Sequence, residues 1–282
     1  MVQHQAEIID WLVKESGSLP LKAGFEWRVS HQVMKHCIGL PASDQGVLLP
    51  TQNGKLSMAR RLPLGVVGVI SPFNFPLYLA LRSVAPALAL GNAVVLKPDE
   101  RTAVCSGYVI ARIFELAGLP AGLLHVLPGG AEAGEALTLD ENIASIQFTG
   151  STQVGRMVGA NAGKTLKKVS LELGGKNSLI ILDDADIERA AENIVWGSFL
   201  HSGQICMTSG KILVQEAIYE RLKARVTEKT RQLVVGNPAQ ENVTIGPLID
   251  EKQCRRVADL VQAAVTHGAR LETGGDAQGV FF

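Results

Sequence analysis

The sequence lacks the features of a disulfide scaffold or a metalloprotein. Its four cysteines are far apart and form no C-x-x-C pair, which argues against a zinc knuckle or a disulfide framework and for a reducing compartment. The six histidines show neither H-x-x-x-H nor H-E-x-x-H spacing. We therefore expect no metal site.

Long apolar runs and an excess of either charge are also missing. The most apolar run, residues 77–96, is interrupted by Arg82, Pro86, Gly91 and Asn92, so it is too broken to span a membrane. The first residues, MVQHQAEIID, lack the basic start and the apolar stretch of a signal peptide. Lys plus Arg and Asp plus Glu each total 27, so nothing favours nucleic acid or an anionic membrane, and the cytoplasm is the expected location.

What is present predicts a globular α/β protein. Hydrophobic residues make up 46% of the 282 and charged residues 19%, a balance that indicates a sizeable core in two domains or one large one. From Gly65 onward, apolar strands alternate with helices. The predicted strands are 66–70, 93–96, 123–127 and 143–148, and the predicted helices are 77–90, 102–117, about 132–139 and one after Ser151. This alternation predicts a parallel sheet with helices on both faces and ligands at the C-terminal ends of its strands.

The pattern restarts after Gly175, and the Gly174-Gly175 break is the candidate domain boundary. The later elements are a strand at 179–182, a helix from the acidic caps at 183–186 to about 200, a strand at 212–214, and helices from Glu216 and from about Asp250. The first 40 residues are predicted to be helical.

Residues 46–62 contain Asn53-Gly54 between two extended stretches, and that dipeptide suits a type I′ hairpin turn. A hairpin that leaves the core would suit oligomer contacts. A simple surface hairpin is the equal alternative.

Two residues in glycine- or proline-rich turns are candidates for covalent chemistry. Cys206 directly follows a helix and is flanked by Gly203 and Gly210, so the backbone there can approach a ligand; an inert buried thiol is the alternative. Asn74 lies in a rigid turn after a strand, where its amide could donate to an oxyanion or form an Asx turn.

Glu172 is an acid inside the otherwise apolar strand 169–173. Burial there would suit it to general-base work. The alternative is a carboxylate paired with one of the lysines nearby, Lys167, Lys168 or Lys176.

Two further segments could bind a nucleotide. Gly150 and Ser151 open a helix directly after a strand, where backbone N–H groups and the helix dipole suit a pyrophosphate; Ser151 is equally an ordinary N-cap. Lys97 and Glu100 follow another strand and could hold ribose hydroxyls, or form a common charged turn. The G-x-G-x-x-G fingerprint is absent, with only a loose substitute in Gly129, Gly130 and Gly134.

Five segments, in this order, resemble the aldehyde dehydrogenase superfamily: PFNFP (72–76), KPDE (97–100), FTGST (148–152), LELGGK (171–176) and GQIC (203–206). The resemblance runs from about Leu62 to the C-terminus, and residues 70–100 look most similar to bacterial benzaldehyde (aromatic aldehyde) dehydrogenases. It implies a Rossmann-like cofactor-binding domain, residues 1–174, and a second α/β catalytic domain, residues 175–282. It also implies NAD as the cofactor with NADP as the alternative, an aldehyde substrate and, at full length, a homo-oligomer (dimer or tetramer).

Carried over by position, the resemblance implies that Cys206 is the nucleophile, Glu172 the general base, and Asn74 with the Cys206 N–H the oxyanion hole. An aldehyde would form a thiohemiacetal on Cys206 and then a thioester, which water activated by Glu172 would hydrolyse. Phe73 stands where many relatives carry a tryptophan. The implied cofactor contacts are Ser71, Pro72, Phe73, Lys97, Glu100, Gly150, Ser151, Leu173 and Gly174.

The implied substrate is an aromatic aldehyde such as benzaldehyde. Phe75, Leu79 and Arg82 follow Asn74 at helical spacing, so they are expected to share one face. The residues implied to line an apolar substrate tunnel are Phe75, Leu79, Leu200, Ile205 and Met207. A semialdehyde dehydrogenase is the runner-up, and Arg82 is the cation it would use for the distal carboxylate.

An inactive nucleotide-binding fragment and a thiol esterase built on Cys206 are two competing hypotheses. Between the cofactors, Glu100 favours NAD because its charge would repel a 2′-phosphate, although Lys97 beside it could offset the repulsion.

The family pattern continues beyond Phe282, so we expect the chain to be cut short at both ends. An incomplete sheet would expose an unpaired edge, and activity of the isolated chain is a separate question from its family.

Overall fold

A computed structural model describes residues 1–240 and 242–282. These fall into two compact units, the first comprising 1–8 and 26–172 and the second 9–25 and 173–282. The predicted α/β class with a parallel sheet is confirmed. The assignment of 1–174 to cofactor binding and 175–282 to catalysis stays a prediction.

The chain begins with helices, as predicted, and continues into a hairpin. Helix α1 spans Gln5–Ser16 and α2 spans Pro20–Ile38. Strands β1 (Gly46–Leu49) and β2 (Ser57–Arg60) then pair in antiparallel fashion.

The turn type predicted for this hairpin is wrong. Lys55 N donates to Gln52 O at 3.1 Å, which places Asn53 and Gly54 at the two central positions of the turn. Gly54 has a φ of +79°, but Asn53 does not belong to the described residues with positive φ. A type I′ turn requires positive φ at both positions, so this turn has the φ pattern of type II. The connection between the strands is also longer than two residues, and the tighter turn is therefore not needed to close it.

The main sheet of the first unit has five strands in the order β5-β4-β3-β6-β7. They are β3 (Val66–Ile70), β4 (Ala93–Lys97), β5 (Leu124–Val126), β6 (Ile143–Gly150) and β7 (Lys168–Leu173). Strand β3 is parallel to both β4 and β6, and β4 is parallel to β5. Val69, Val94, Leu96 and Ile146 are at most 1% exposed, as expected for central strands whose two faces are both covered.

Four α-helices alternate with these strands: α3 (Pro76–Ala89), α4 (Val109–Leu116), α5 (Ala131–Leu139) and α6 (Thr152–Lys164). The single helix predicted over 102–117 is only partly correct, because a 3₁₀ turn at 100–102 and a π-helical turn at Val104–Tyr108 precede α4. Within this stretch Ser106 Oγ donates to Thr102 O at 2.7 Å and competes with the regular helical bonds. A Cβ on Gly107 would lie 2.9 Å from Val126 Cγ1, so glycine permits the close approach here.

The second unit contains a two-stranded parallel sheet, β8 (Ser178–Ile181) with β9 (Lys211–Val214). Its helices are α7 (Ile187–Phe199), α8 (Glu216–Arg231) and α9 (Glu251–Thr266). The predicted acidic cap is confirmed at Asp186, whose side chain accepts from Arg189 N at 2.9 Å. The core of this unit consists of Ile181, Ala190, Ala191, Ile194, Ile218 and Leu222. No helix in the described part of the chain is both long and apolar enough to cross a lipid bilayer.

A buried acid on α2 caps helix α3. Glu26 is 0% exposed, and its Oε1 accepts from Leu77 N at 2.9 Å and from Tyr78 N at 3.2 Å. The N-cap residue Phe75 offers no side-chain acceptor, and Pro76 has no N–H. A carboxylate at a helix N-terminus satisfies the unpaired amides and complements the positive end of the helix dipole. Glu26 therefore fixes the start of the helix that follows Asn74.

Replacing Glu26 with alanine should destabilise the protein by about 1–3 kcal/mol, because two buried amides lose their acceptor. Glu26→Gln retains an acceptor oxygen and should cost clearly less. Urea unfolding of the two variants beside the parent chain measures both losses. Equal losses for the alanine and glutamine variants would show that the capping bonds are not what Glu26 contributes.

Candidate active site

Three predicted site segments lie side by side because of strand register. Ile70 at the end of β3 is opposite both Lys97 of β4 and Phe148 of β6. The backbone of Ser71 donates to Lys97 O at 3.1 Å, which continues the sheet by one residue. The C-terminal ends of these parallel strands therefore bring PFNFP, KPDE and FTGST to one edge, as the topology predicts.

The PFNFP turn joins β3 directly to α3. Asn74 Oδ1 accepts from Phe75 N at 3.0 Å, so the carbonyl end of this amide is turned toward its own backbone and its plane is fixed. Phe75 is buried, while Pro72, Phe73 and Asn74 are half-buried. The structure places Asn74 in the rigid turn expected from its neighbours, and its catalytic role stays a prediction.

A cavity of about 370 Å³ opens beside this edge, between α5 and α6. Lys97 and Phe148 line its sheet side, while Gly130, Gly134 and Val158 line its helical sides. Lys97 is only 9% exposed. The sequence did not predict that these two helices line a cavity; the loose glycine pattern at 129–134 was the one available signal.

One hydroxyl group and one carboxylate accept backbone hydrogen bonds at the helix starts around this cavity. Ser151 Oγ caps α6 by accepting from Val154 N at 3.3 Å, which confirms its N-cap position. Glu132 accepts from Gly130 N at 3.0 Å. Backbone hydrogen bonds, first from its own amide and then from Gly130, lower the pKa of Glu132, and the charge of Lys97 lowers it further.

Directly after the Lys97–Glu100 segment comes a second cation, Arg101, to which the sequence analysis assigned no role. Glu100 is exposed in the 3₁₀ turn, as an acid directed toward a ligand would be. Arg101 is held by two parallel bonds to Asp99, each 2.8 Å long, and lies 4.7 Å from the centre of the Phe73 ring. Bidentate pairing and stacking together hold a guanidinium in one place.

The expected burial of Glu172 is wrong, and so is the lysine alternative. The Glu172 side chain is 63% exposed, and its Oε2 lies 3.5 Å from Nη2 of Arg82, which also donates to Thr149 Oγ1 at 3.2 Å. The reason for the exposure is that β7 is the edge strand of the five-stranded sheet, where an apolar sequence does not ensure cover. Arg82, unexplained by the sequence, is the partner of this acid.

In the second unit, Cys206 is the exposed thiol, whereas Cys37, Cys105 and Cys254 are buried. The loop before it contains three consecutive residues in the left-handed region, His201, Ser202 and Gly203, with φ of +51°, +57° and +71°. Such a conformation costs of order 1–3 kcal/mol for a residue with a side chain and persists only where the surroundings enforce it. The expectation of an inert buried thiol does not hold for Cys206.

This loop is fastened to residues 246–249. Ser202 Oγ donates to Gly246 O at 2.7 Å, and Gln204 Nε2 donates to Pro247 O at 3.3 Å. Gln204 Oε1 also accepts from Ile249 N at 2.9 Å. A Cβ on Gly246 would lie 2.5 Å from Gly17 O, so only glycine fits there. Residues 246–249 carried no sequence signal, because their contribution is made through backbone carbonyls.

The residues predicted to line the substrate tunnel differ in exposure. Phe75 and Leu79 are each 7% exposed and Ile205 8%, Leu200 is half-buried, and Met207 is 75% exposed. Phe75 is the N-cap of α3 and precedes the helix, so the expected shared helical face holds only for Leu79 and Arg82. Leu173 is half-buried and Gly174 exposed at the start of the second unit. Their roles stay predictions.

Comparison with known proteins settles the family. Residues 1–282 match the model of the aldehyde dehydrogenase family. The chain belongs to the aldehyde dehydrogenase family.

Three relatives illustrate the similarity. The chain is 54% identical over 280 residues to a vanillin dehydrogenase of Amycolatopsis sp., covering 99% of the chain and 58% of that protein. It is 48% identical over 281 residues to the benzaldehyde dehydrogenase [NAD(+)] of Pseudomonas putida, again covering 99% and 58%. The crystal structure of an NAD-dependent benzaldehyde dehydrogenase from Corynebacterium glutamicum superposes with a TM-score of 0.93 at 40% identity, covering 99% of this chain and 61% of that one. The chain therefore spans about three-fifths of the length of these aldehyde dehydrogenases.

One buried ionisable group of this aldehyde dehydrogenase chain, His201, lies five residues before Cys206. His201 is 4% exposed. Burial, and secondly the charge of Lys22, hold the pKa of His201 well below its ordinary value of 6.5. The folded chain thus favours neutral imidazole, while the unfolded chain binds the proton more readily. Stability from this group is present above about pH 6.5 and is lost as the pH falls below it.

The melting temperature should therefore drop between about pH 7.5 and pH 5.5, and His201→Asn should flatten that dependence. Scanning calorimetry across this range is the measurement. The exposed His36, changed to asparagine in the same way, serves as the control and should leave the slope as it is. A slope that persists unchanged in His201→Asn would assign the acid sensitivity to other groups.

Proposed function

We propose that this chain carries the catalytic machinery of an NAD(P)-dependent dehydrogenase that oxidises an aromatic aldehyde to the carboxylic acid through a thioester on Cys206. The observation that carries the proposal is the exposed Cys206 on a loop held in a strained conformation by Ser202 and Gln204. Strain that the surroundings enforce is typical of functional positions. The family membership supports the reaction class.

Each catalytic role is assigned by motif position. The Cys206 thiolate adds to the aldehyde carbonyl and forms a thiohemiacetal, whose oxyanion Asn74 Nδ2 and the Cys206 N–H would stabilise. A nicotinamide bound in the first unit would supply the hydride acceptor that oxidation of this carbon to the thioester requires. Glu172 then takes a proton from water, which attacks the thioester and releases the acid. Arg82 would hold the Glu172 carboxylate in position for this step.

The first unit has the groups that a dinucleotide requires. Ser71 Oγ is buried and has no hydrogen-bond partner among the residues described, so it is available to a ligand. The cavity between α5 and α6 has room for an adenosine, with Lys97 at its sheet wall. Gly150 and the α6 N-terminus at Ser151 suit a pyrophosphate. Pro72 and Phe73 would flank the cofactor, and Leu173 with Gly174 would contact the nicotinamide.

For the cofactor we propose NAD first, with NADP as the alternative. Glu100 would bind the ribose hydroxyls and repel a 2′-phosphate. Lys97 and the fixed guanidinium of Arg101 weaken that repulsion, since both are cations within the same segment. The names of two relatives, a benzaldehyde dehydrogenase [NAD(+)] and an NAD-dependent benzaldehyde dehydrogenase, support NAD.

For the substrate we propose an aromatic aldehyde such as benzaldehyde. The relatives named vanillin dehydrogenase and benzaldehyde dehydrogenase support this class, as do the apolar Phe75, Leu79 and Ile205. The semialdehyde alternative needs a cation for a distal carboxylate, but Arg82 already pairs with Glu172 and Thr149. An exposed thiol that requires a reducing environment supports a cytoplasmic location.

The purified 282-residue chain should form NADH from benzaldehyde and NAD, and Cys206→Ala should abolish the reaction. Glu172→Gln should retain a first burst of NADH while its steady-state rate falls by about 10²-fold or more, because thioester hydrolysis loses its base. Absorbance at the NADH maximum, followed from mixing to steady state, measures both phases.

Turnover that survives in Cys206→Ala would reject the cysteine mechanism. No turnover by a chain shown to be folded would reject the claim that this chain is an enzyme by itself. Nucleotide binding without turnover would favour the inactive-fragment hypothesis, and ester hydrolysis without NAD alone would favour the thiol esterase.

The hairpin β1–β2 is proposed as an oligomer contact. Val47, Leu48 and Met58 are 60%, 74% and 50% exposed, and Leu56 in the connecting loop is 73% exposed. Leu48 is opposite Met58, so these two share one face of the hairpin. Several exposed apolar side chains on a two-stranded sheet are more costly than a lone surface leucine, which favours contact with a second copy over a simple surface hairpin.

Leu48→Asp should shift the protein to a smaller species in light scattering coupled to size-exclusion chromatography, because a charge would be buried at the contact. Lys55→Asp, in the loop of the same hairpin, should leave the size unchanged. An identical elution and mass for Leu48→Asp and the parent chain would exclude the hairpin as the contact.

A further inference from the structure

We infer that Asn177 is a positioning residue for the nucleophile: its side-chain amide holds the turn that contains Cys206 so that the Cys206 N–H faces an oxyanion. The inference rests on the proposed chemistry at Cys206, which gives that N–H its task. Asn177 directly follows the LELGGK segment and has no assigned role.

The contacts join two segments distant in the chain. Asn177 Nδ2 donates to Cys206 O at 2.7 Å and to Thr208 O at 3.2 Å. Both NH₂ hydrogens of the amide can be used in this way, so one side chain fixes two carbonyls of the same turn. No other residue type of this size offers two donors on one nitrogen.

Thr208 completes the turn from within. Its backbone N–H donates to Ile205 O at 3.2 Å and its hydroxyl donates to the same oxygen at 2.9 Å. Residues 205–208 thus form a β-turn with Cys206 and Met207 at its centre. The carbonyls of Ile205, Cys206 and Thr208 are all engaged, which leaves the turn little freedom.

The direction of the Cys206 N–H follows from peptide geometry. Ile205 C=O and Cys206 N–H belong to one planar trans peptide and point in opposite directions. Because Thr208 binds the Ile205 carbonyl, the Cys206 N–H points away from the inside of the turn. Loss of the Asn177 bonds would free the Cys206–Met207 peptide, whose orientation depends on ψ at Cys206 and φ at Met207, and would thereby loosen the turn that holds the Ile205 carbonyl.

Asn177 is itself held on a regular element. Lys211 N donates to Asn177 O at 3.0 Å, one residue before the parallel pairing of Ser178 with Lys211 begins. The side chain that braces the turn therefore starts at the end of the β8–β9 sheet. Groups supported in this way keep the precision that an oxyanion donor needs.

The test compares two reactions of the same thiolate. Acylation by 4-nitrophenyl acetate passes through a tetrahedral oxyanion: the thiolate attacks the carbonyl carbon, nitrophenolate leaves, and water hydrolyses the thioester. Alkylation by iodoacetamide displaces iodide and forms no oxyanion. A change in the thiolate fraction or in access to Cys206 affects both rate constants alike and cancels in their ratio. The ratio therefore reports on the oxyanion donor. It would stay unchanged if Asn177 only stabilised the fold.

Asn177→Asp is nearly isosteric but presents a carboxylate to two carbonyls, and Asn177→Ala removes the donor without adding charge. The acylation-to-alkylation ratio should fall by about tenfold in both, part of what full loss of one oxyanion donor costs. Asn237→Asp is the matched control, because the side-chain hydrogen bond that Asn237 makes among the described residues uses Oδ1, which accepts from Ala239 N at 2.9 Å. Cys206→Ala supplies the blank for both reactions.

An unchanged ratio in Asn177→Ala, or in Asn177→Asp if it folds, would overturn the inference, as would an equal fall in Asn237→Asp. A parent chain that is alkylated but not acylated would overturn it as well, since no oxyanion donor then operates at Cys206. A parent chain that is acylated but forms no NADH from benzaldehyde and NAD would reject the dehydrogenase proposal, while the ratio would still decide the role of Asn177.

Discussion

The parallel register of β3 with both of its neighbours is the constraint on which the first unit depends. With Ile70 opposite Lys97 and Phe148, the three strands end at the same level, and whatever follows each strand must meet the others. For this reason three parts of the chain that are far apart in sequence are adjacent in space: Ser71, Lys97 and the FTGST segment. A shift of one residue would move valine side chains of β3 to the face of Gly68, where even a Cβ would come within 2.7 Å of Ile146 Cδ1, so core packing and site assembly enforce the same register.

The second unit positions the proposed nucleophile differently, on a strained loop rather than at a sheet edge. Three left-handed residues in succession are costly, and bonds from Ser202 and Gln204 to residues 246–249 hold them. Asn177 braces the following turn from the opposite segment. The result is a thiol displayed at the surface on a backbone that cannot easily relax, which is a suitable arrangement for a nucleophile that must wait for its substrate.

Ionisable side chains, both buried and exposed, serve the geometry of these two regions. Glu26 satisfies the first amides of α3 and so determines where the helix after Asn74 begins. His201 is kept neutral by burial and by Lys22 within the strained loop. Arg82 engages Glu172 on an edge strand that gives the acid little cover. In each case a residue close to the proposed chemistry interacts with a partner that is distant in sequence.

The sequence by itself determined the alternation of strands and helices, the parallel sheet, the family, and the position of Cys206, Asn74, Ser151 and Lys97 at the ends of elements. These follow from local periodicity, turn chemistry and five motifs, all of which are properties of neighbouring residues. The tertiary structure alone decided that Glu172 is exposed and paired with Arg82, that the helix after Lys97 begins with a π-helical turn, and that the hairpin turn is not type I′. It alone revealed Asn177, Gly246 and Glu26 as supports. A hydrogen bond between a side chain and a distant backbone carbonyl or amide leaves no pattern in the sequence, because every residue type offers the same backbone groups. Such contacts therefore become visible only in the folded chain.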